Sequence, residues 1–136
     1  MGKSWQEKYN NGKSPLVKTI EKRFADIDAG EQMLISTPSA IDAYIRSIPA
    51  GHHTPIKVMR NDLAIEQCAD KTCPVTTGIF LRIVAEKAHE EWLNGIPLND
   101  ITPFWRVIDQ KAPIVKKLSF GYAFIAEQRR KEGLPL

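Results

Sequence analysis

The chain has 136 residues, 43% of them hydrophobic, which is enough for one compact domain with its own core and too few for two ordinary ones. With 19 Lys and Arg against 16 Asp and Glu, a net charge of +3, it is not a strongly basic binder, although nucleic acid stays open as a partner. No apolar run approaches the ~18 residues of a membrane span, and Met1 to Lys8 lack the apolar centre of a signal peptide, so a soluble, cytoplasmic, monomeric protein is expected.

Residues 1 to 14 are polar, with a turn expected at Asn10-Asn11-Gly12. Leu16, Val17, Ile20, Phe24 and Ile27 then recur at helical spacing and predict an N-terminal amphipathic helix that Gly30 ends. Met33-Leu34-Ile35 is a short apolar run of the kind that makes a strand. Thr37-Pro38 reads as an N-cap followed by proline at the first helical position, opening a helix to about Ile48. Thr54-Pro55 repeats the signal, and Ile56, Met59 and Leu63 give that next helix one apolar stripe as far as about Cys68.

Ala69 to Pro74 reads as a polar turn, followed by a long helix from about Val75 to Leu93 that Gly95 and Pro97 terminate. Two helices across a short turn make a helix-turn-helix candidate. On the second of them Ile79, Phe80, Leu81, Ile83, Val84 and Ala88 cover a wide apolar arc, which places Arg82, Glu86 and His89 on the exposed face. Lys87 falls inside the arc and is expected to snorkel. Glu86, Glu90 and Glu91 would repel a phosphate backbone, so only the first turns, with Thr76, Thr77, Gly78 and Arg82, suit an approach to DNA. Thr76 or Thr77 equally suits a helix cap.

Cys68 and Cys73 lack the Cys-x-x-Cys spacing and the further ligand pair of a structural zinc site, and His52-His53 after Gly51 reads as a polar loop. No metal or cofactor is expected. Cys73, just ahead of the long helix, reads either as an activated thiol or as a half-buried structural residue. Near the end of the chain, Asp109 to Pro113 is a turn beside a basic patch of Lys111, Lys116 and Lys117. A last helix from about Ser119 turns Phe120 and Phe124 inward and ends on Arg129, Arg130 and Lys131, where cations favour the helix dipole.

The segment Ile101-Thr102-Pro103-Phe104-Trp105-Arg106-Val107-Ile108 carries the strongest signal. It resembles the active-site loop of the methylguanine-DNA methyltransferase family, Pro-Cys-His-Arg-Val-Ile, in which the Cys takes an alkyl group from a damaged guanine and the His helps to make it a thiolate. Phe104 stands in the Cys place and Trp105 in the His place. Further blocks occur in the family's order: Ile41, Ile45 and Ile48 before Pro49-Ala50-Gly51, Cys73-Pro74-Val75-Thr76-Thr77-Gly78 before the recognition helix, and the closing Glu132-Gly133-Leu134. Its non-enzymatic branch, the alkyltransferase-like proteins, also lacks the Cys.

That resemblance implies a mainly α protein with a small β element, a winged helix-turn-helix domain over 36–136; residues 1–35, which the resemblance does not cover, are expected to be a helical extension packed on it. It implies double-stranded DNA as a partner without catalysis, sensing of alkylated bases, and a protein partner in DNA repair. Thr76, Thr77, Gly78, Arg82, Arg106 and Lys111 would face DNA, and Pro103, Phe104 and Trp105 would border a base pocket, where either aromatic could stack on a base or simply belong to the core. The family's phosphate-pressing Tyr falls on Ile56, and its inserted Arg falls near Gly78 or Ile79, with Arg82 one turn later. Because flipping a base costs a few kcal/mol, these losses weigh against inherited base flipping. The alternative is a protein-interaction or structural module that keeps the fold without DNA.

Overall fold

A computed structural model describes residues 3–136. In chain order the elements are α1 (Trp5–Tyr9), β1 (Leu16–Thr19), β2 (Gln32–Ile35), α2 (Pro38–Arg46), α3 (Ile56–Glu66), β3 (Lys71–Thr72), α4 (Pro74–Leu93) and α5 (Ala123–Lys131), with short 3-10 turns at Leu98–Asp100, Phe104–Arg106 and Pro113–Lys117. The chain is mainly helical with one small sheet, as expected. Among the described residues, no helix is long and apolar enough to cross a membrane.

α2 starts where the Thr-Pro pair placed it: Thr37 is the N-cap, and its Oγ1 accepts from the Ala40 amide at 3.1 Å. α3 starts one residue later than the same signal suggests. The Thr54 amide donates to the Arg106 carbonyl at 2.9 Å, which ties Thr54 to the loop and leaves Pro55 as the cap. α4 begins at Pro74 and runs to Leu93, as read.

The helix expected over Leu16 to Ile27 does not form. Leu16–Thr19 is instead a strand, antiparallel to β2 with Val17 opposite Leu34. Pro15 precedes it, Val17, Thr19 and Ile20 are β-branched, and pairing with β2 satisfies backbone groups that a short helix would leave partly open. The inward residues of this segment, Ile20 and Ile27, pack with Met33 and Cys73 in a small second core. The expected turn over 69–74 likewise contains β3, which runs parallel to β2 with Leu34 opposite Thr72. A helix does precede the sheet, but earlier: α1 is fixed by a capping box in which Ser4 Oγ accepts from the Glu7 amide at 3.1 Å and Glu7 Oε1 accepts from the Ser4 amide at 3.2 Å.

The main core lies between α2, α3, α4 and the C-terminal third. Ile41, Ile45, Met59, Leu81, Phe104, Ile108 and Ile125 are all fully buried in it. No strand lies between Asp109 and Leu118; that connection is a turn followed by the 3-10 turn, so no β wing follows the loop among the described residues.

Candidate nucleic-acid interface

The β3 segment joins α3 to α4, and the first turns of α4 lie at the centre of a surface trench. Two hollows form it, about 560 Å³ and about 380 Å³, and they share Pro74, Gly78, Pro113 and Ile114. The floor is apolar, with Val75 and Ile79 each about half exposed, at 55% and 52%. A Cβ added at Gly78 would meet nothing within 4 Å, so this turn is open to close approach from outside.

Cations stand along the trench. Lys8, Arg82 and Lys117 line the larger hollow, which has no carboxylate in its lining, and Lys57 and Arg60 line the smaller. Arg60 is already engaged by Asp26, at 2.8 and 3.1 Å, and by the Thr72 carbonyl at 2.8 Å. Lys57 therefore supplies the free charge at that end. Arg82 lies between two groups: its guanidinium carbon is 5.2 Å from the centre of the Trp5 ring and its Nε is 3.7 Å from Glu86 Oε2. That Nε is buried and has no hydrogen-bond partner.

Glu86 is not on the exposed face that the helical wheel gave it. It is buried at 3% exposure and accepts from the Ser119 amide at 2.9 Å and from Ser119 Oγ at 2.5 Å. The start of the C-terminal segment packs over that side of α4, which the wheel could not show. Glu91 pairs with Lys87 at 3.4 Å, and Lys87 sits 4.5 Å from the Tyr9 ring, so its stem and charge are used locally. Of the three acids that would repel a backbone, only Glu90 is exposed.

The other expected contacts are distributed as follows. Thr77 is buried and donates to the Cys73 carbonyl at 2.6 Å, and Thr76 Oγ1 is buried without a partner, so neither hydroxyl reaches the trench. Lys111 is exposed but lines neither hollow. Arg106 turns inward. It donates to Glu132 through Nε at 3.0 Å and through a terminal nitrogen at 3.0 Å, while the other nitrogen donates to the Ile48 carbonyl at 2.8 Å. Trp5, Lys8 and Lys57 were not among the expected residues; only the Ser4-x-x-Glu7 box hinted that the first of them sits on a helix.

The aromatic loop is part of the core. Phe104 is fully buried, its ring stacked on Phe124 with centroids 5.8 Å apart, and Trp105 is 3% exposed. Phe104 packs against Phe120, just ahead of α5, and against Phe124 on it, while Pro103, Trp105 and Arg106 border a separate hollow of about 220 Å³ beside Glu132. Trp105 Nε1 donates to Glu132 Oε2 at 2.7 Å, and the Gly51 amide donates to Glu132 Oε1 at 2.9 Å. Burial pushes the Glu132 carboxyl up, but the bonds from Arg106, Gly51 and Trp105 outweigh it and hold the group below the usual carboxylate range. Behind the loop, the buried Arg129 donates to the Trp105 carbonyl at 2.8 Å and to His53 Nδ1 at 3.0 Å. Burial, and then the Arg129 charge, lower the His53 pKa, so the ring is neutral and accepts at Nδ1.

Among the described residues, no group of three or more His, Cys, Asp or Glu side chains is placed to hold a metal. Cys73 is buried in the small second core, and its amide is bonded to the Leu34 carbonyl at 2.8 Å. No family model, curated protein or solved structure matches the chain.

Proposed function

We propose that this chain is a non-catalytic DNA-binding protein of the alkyltransferase-like kind, with the trench across α3 and α4 as its DNA-facing surface. The observation that carries the reading is the trench itself: a groove over the first turns of α4, with Lys8, Arg82, Lys117 and Lys57 along it. Cations so placed neutralise phosphates and release counterions, which gives salt-sensitive binding without a high net charge. The residues of the loop support the non-catalytic part of the reading. Neither Phe104 nor Trp105 is a nucleophile or a proton acceptor, and the Cys73 thiol is buried in the small second core. Sensing of alkylated guanine through the loop is not part of this proposal, since both rings are buried.

The test is fluorescence anisotropy of a labelled duplex, with and without one alkylated guanine, at two salt concentrations. Binding that weakens with salt, is blind to the lesion, and falls about tenfold or more in an Arg82→Glu, Lys117→Glu double variant is expected. No binding of duplex or of single strand at low salt, or binding unchanged in the double variant, overturns the proposal. A protein-interaction module is the second reading, favoured by Trp92, Leu93 and Ile96, exposed at 40%, 65% and 40% around the far end of α4. Failure to bind DNA would promote it.

A further inference from the structure

The geometry points to single-stranded nucleic acid as the occupant of the larger hollow, with one unpaired base packing against Trp5 and its phosphates held by Lys8, Arg82 and Lys117. This inference rests on the DNA-binding reading above and narrows it. Paired duplex offers a protein its phosphates and its groove edges, while the flat faces of its bases stay stacked inside. The hollow is built for something else. Trp5 forms one wall, Val75, Ile79 and Ile114 lie along the floor, and about 560 Å³ is open between them. Apolar surface exposed to this extent is matched by base faces, which only an unpaired strand presents.

The charges are arranged to suit the same occupant. Lys8 Nζ lies over the Trp5 ring, 4.4 Å from its centre, and the Arg82 guanidinium carbon lies over it at 5.2 Å, so a base that packs on this ring draws one of these flexible cations off it and toward its phosphate. A base in contact with that ring places its own phosphate within reach of them, and Lys117 stands across the hollow for a neighbouring phosphate. With no carboxylate in the lining, nothing in the hollow repels an anion. Trp5 reaches this position because α1 lies against α4, held by the Tyr9 hydroxyl donating to Asp42 at 2.6 Å and by Lys87 over the Tyr9 ring. The N-terminal segment is therefore a wall of the site, and the aromatic reader sits there rather than in the Pro103–Trp105 loop.

The experiment is anisotropy titration of a labelled 12-nucleotide oligo-dT strand and a labelled 12-base-pair duplex at equal salt, with the wild-type chain and with Trp5→Ala and Trp5→Phe. Single strand is expected to bind more tightly than duplex, to lose about tenfold in Trp5→Ala, and to recover most of that loss in Trp5→Phe, which keeps a ring to stack on. The salt dependence of Trp5→Ala should match wild type, because no cation is removed. Because α1 has no fully buried residue and its loss would be silent in the thermal transition, hydrogen exchange at the Lys8 and Asn10 amides is followed in both variants; wild-type exchange with weakened binding in Trp5→Ala is loss of contact, and fast exchange there that accounts for the weakening overturns the inference. Duplex bound at least as tightly as single strand, with Trp5→Ala unchanged, overturns the inference and leaves the DNA-binding reading standing. Tighter binding of single strand by Trp5→Ala also overturns it, making α1 a plug rather than a wall. No binding of either nucleic acid sinks the underlying reading itself.

Discussion

At the scale of single residues, the buried polar groups decide what the loop can do. Phe104 and Trp105 occupy the places where a transferase would need a thiol and an imidazole, and each is committed elsewhere: one ring to the Phe120 and Phe124 cluster, the other to Glu132 through its indole N–H. Behind them, Arg129 is 1% exposed and donates to the Trp105 and Pro135 carbonyls and to His53, and among the described residues no carboxylate lies in salt-bridge range of it. Burial first, and then the neighbouring guanidinium, disfavour a charged ring, so folding favours neutral His53. Asp109, the acidic neighbour, opposes this only in part. The folded pKa thus lies below the unfolded value of ~6.5, and the associated stability is full above that pH and lost as pH falls below it. His89, stacked on Phe120 and also shifted down by burial, adds a step of the same sign. Urea midpoints measured between pH 7.5 and 5.5 should fall for the wild-type chain, and His53→Gln, which keeps an acceptor for Arg129 but cannot take the proton, should flatten part of that fall. An unchanged slope in the variant would show that His53 titrates alike in both states.

At the scale of elements, α1 is the least secured piece, since five residues are far too few to hold a helix alone in water. It depends on its capping box and on Tyr9 and Trp5 against α4. Ser4→Ala should cost about 1 kcal/mol locally, seen as roughly fivefold faster hydrogen exchange at the Lys8 and Asn10 amides, with Leu81 in the core unaffected. Equal exchange at Lys8 and Asn10 in both proteins would mean that side-chain packing, not the cap, sets this helix. What was legible in the sequence follows the same logic. Helices marked by their own local chemistry, such as Thr37-Pro38 ahead of α2 or the apolar arc of α4, could be read directly. β1 could not, because what makes Leu16–Thr19 a strand is pairing with β2, a partner absent from the local periodicity. β3 is two polar-looking residues with no signal beyond their neighbour in space. The trench escaped for the same reason: its cations come from residues 8, 57, 60, 82 and 117, on four separate segments.

At the scale of the whole molecule, one carboxylate joins three distant parts of the chain. Glu132, just past the end of α5, accepts from the Gly51 amide beyond α2 and from Trp105 and Arg106 in the loop, while Arg106 also reaches the Ile48 carbonyl. The end of α2, the loop and the C-terminus are thereby fixed together, and the Phe104 ring is held under α5. The Glu132 and Arg106 side chains are each only 16% exposed, so their pairing escapes most of the solvent screening that makes surface ion pairs weak. Glu132→Gln removes the countercharge and turns one acceptor into a donor that faces other donors. We expect it to lower stability by about 2–4 kcal/mol in urea denaturation, the range for a half-buried charge that loses its partner. Glu127→Gln is the matched control. It sits on the same helix and also pairs with an arginine, Arg130, at 2.6 Å, but in full view of solvent, and its midpoint should stay within error of wild type. If the two variants behave alike, the Glu132 junction is no more than a surface ion pair, and the loop is held by its aromatic packing alone.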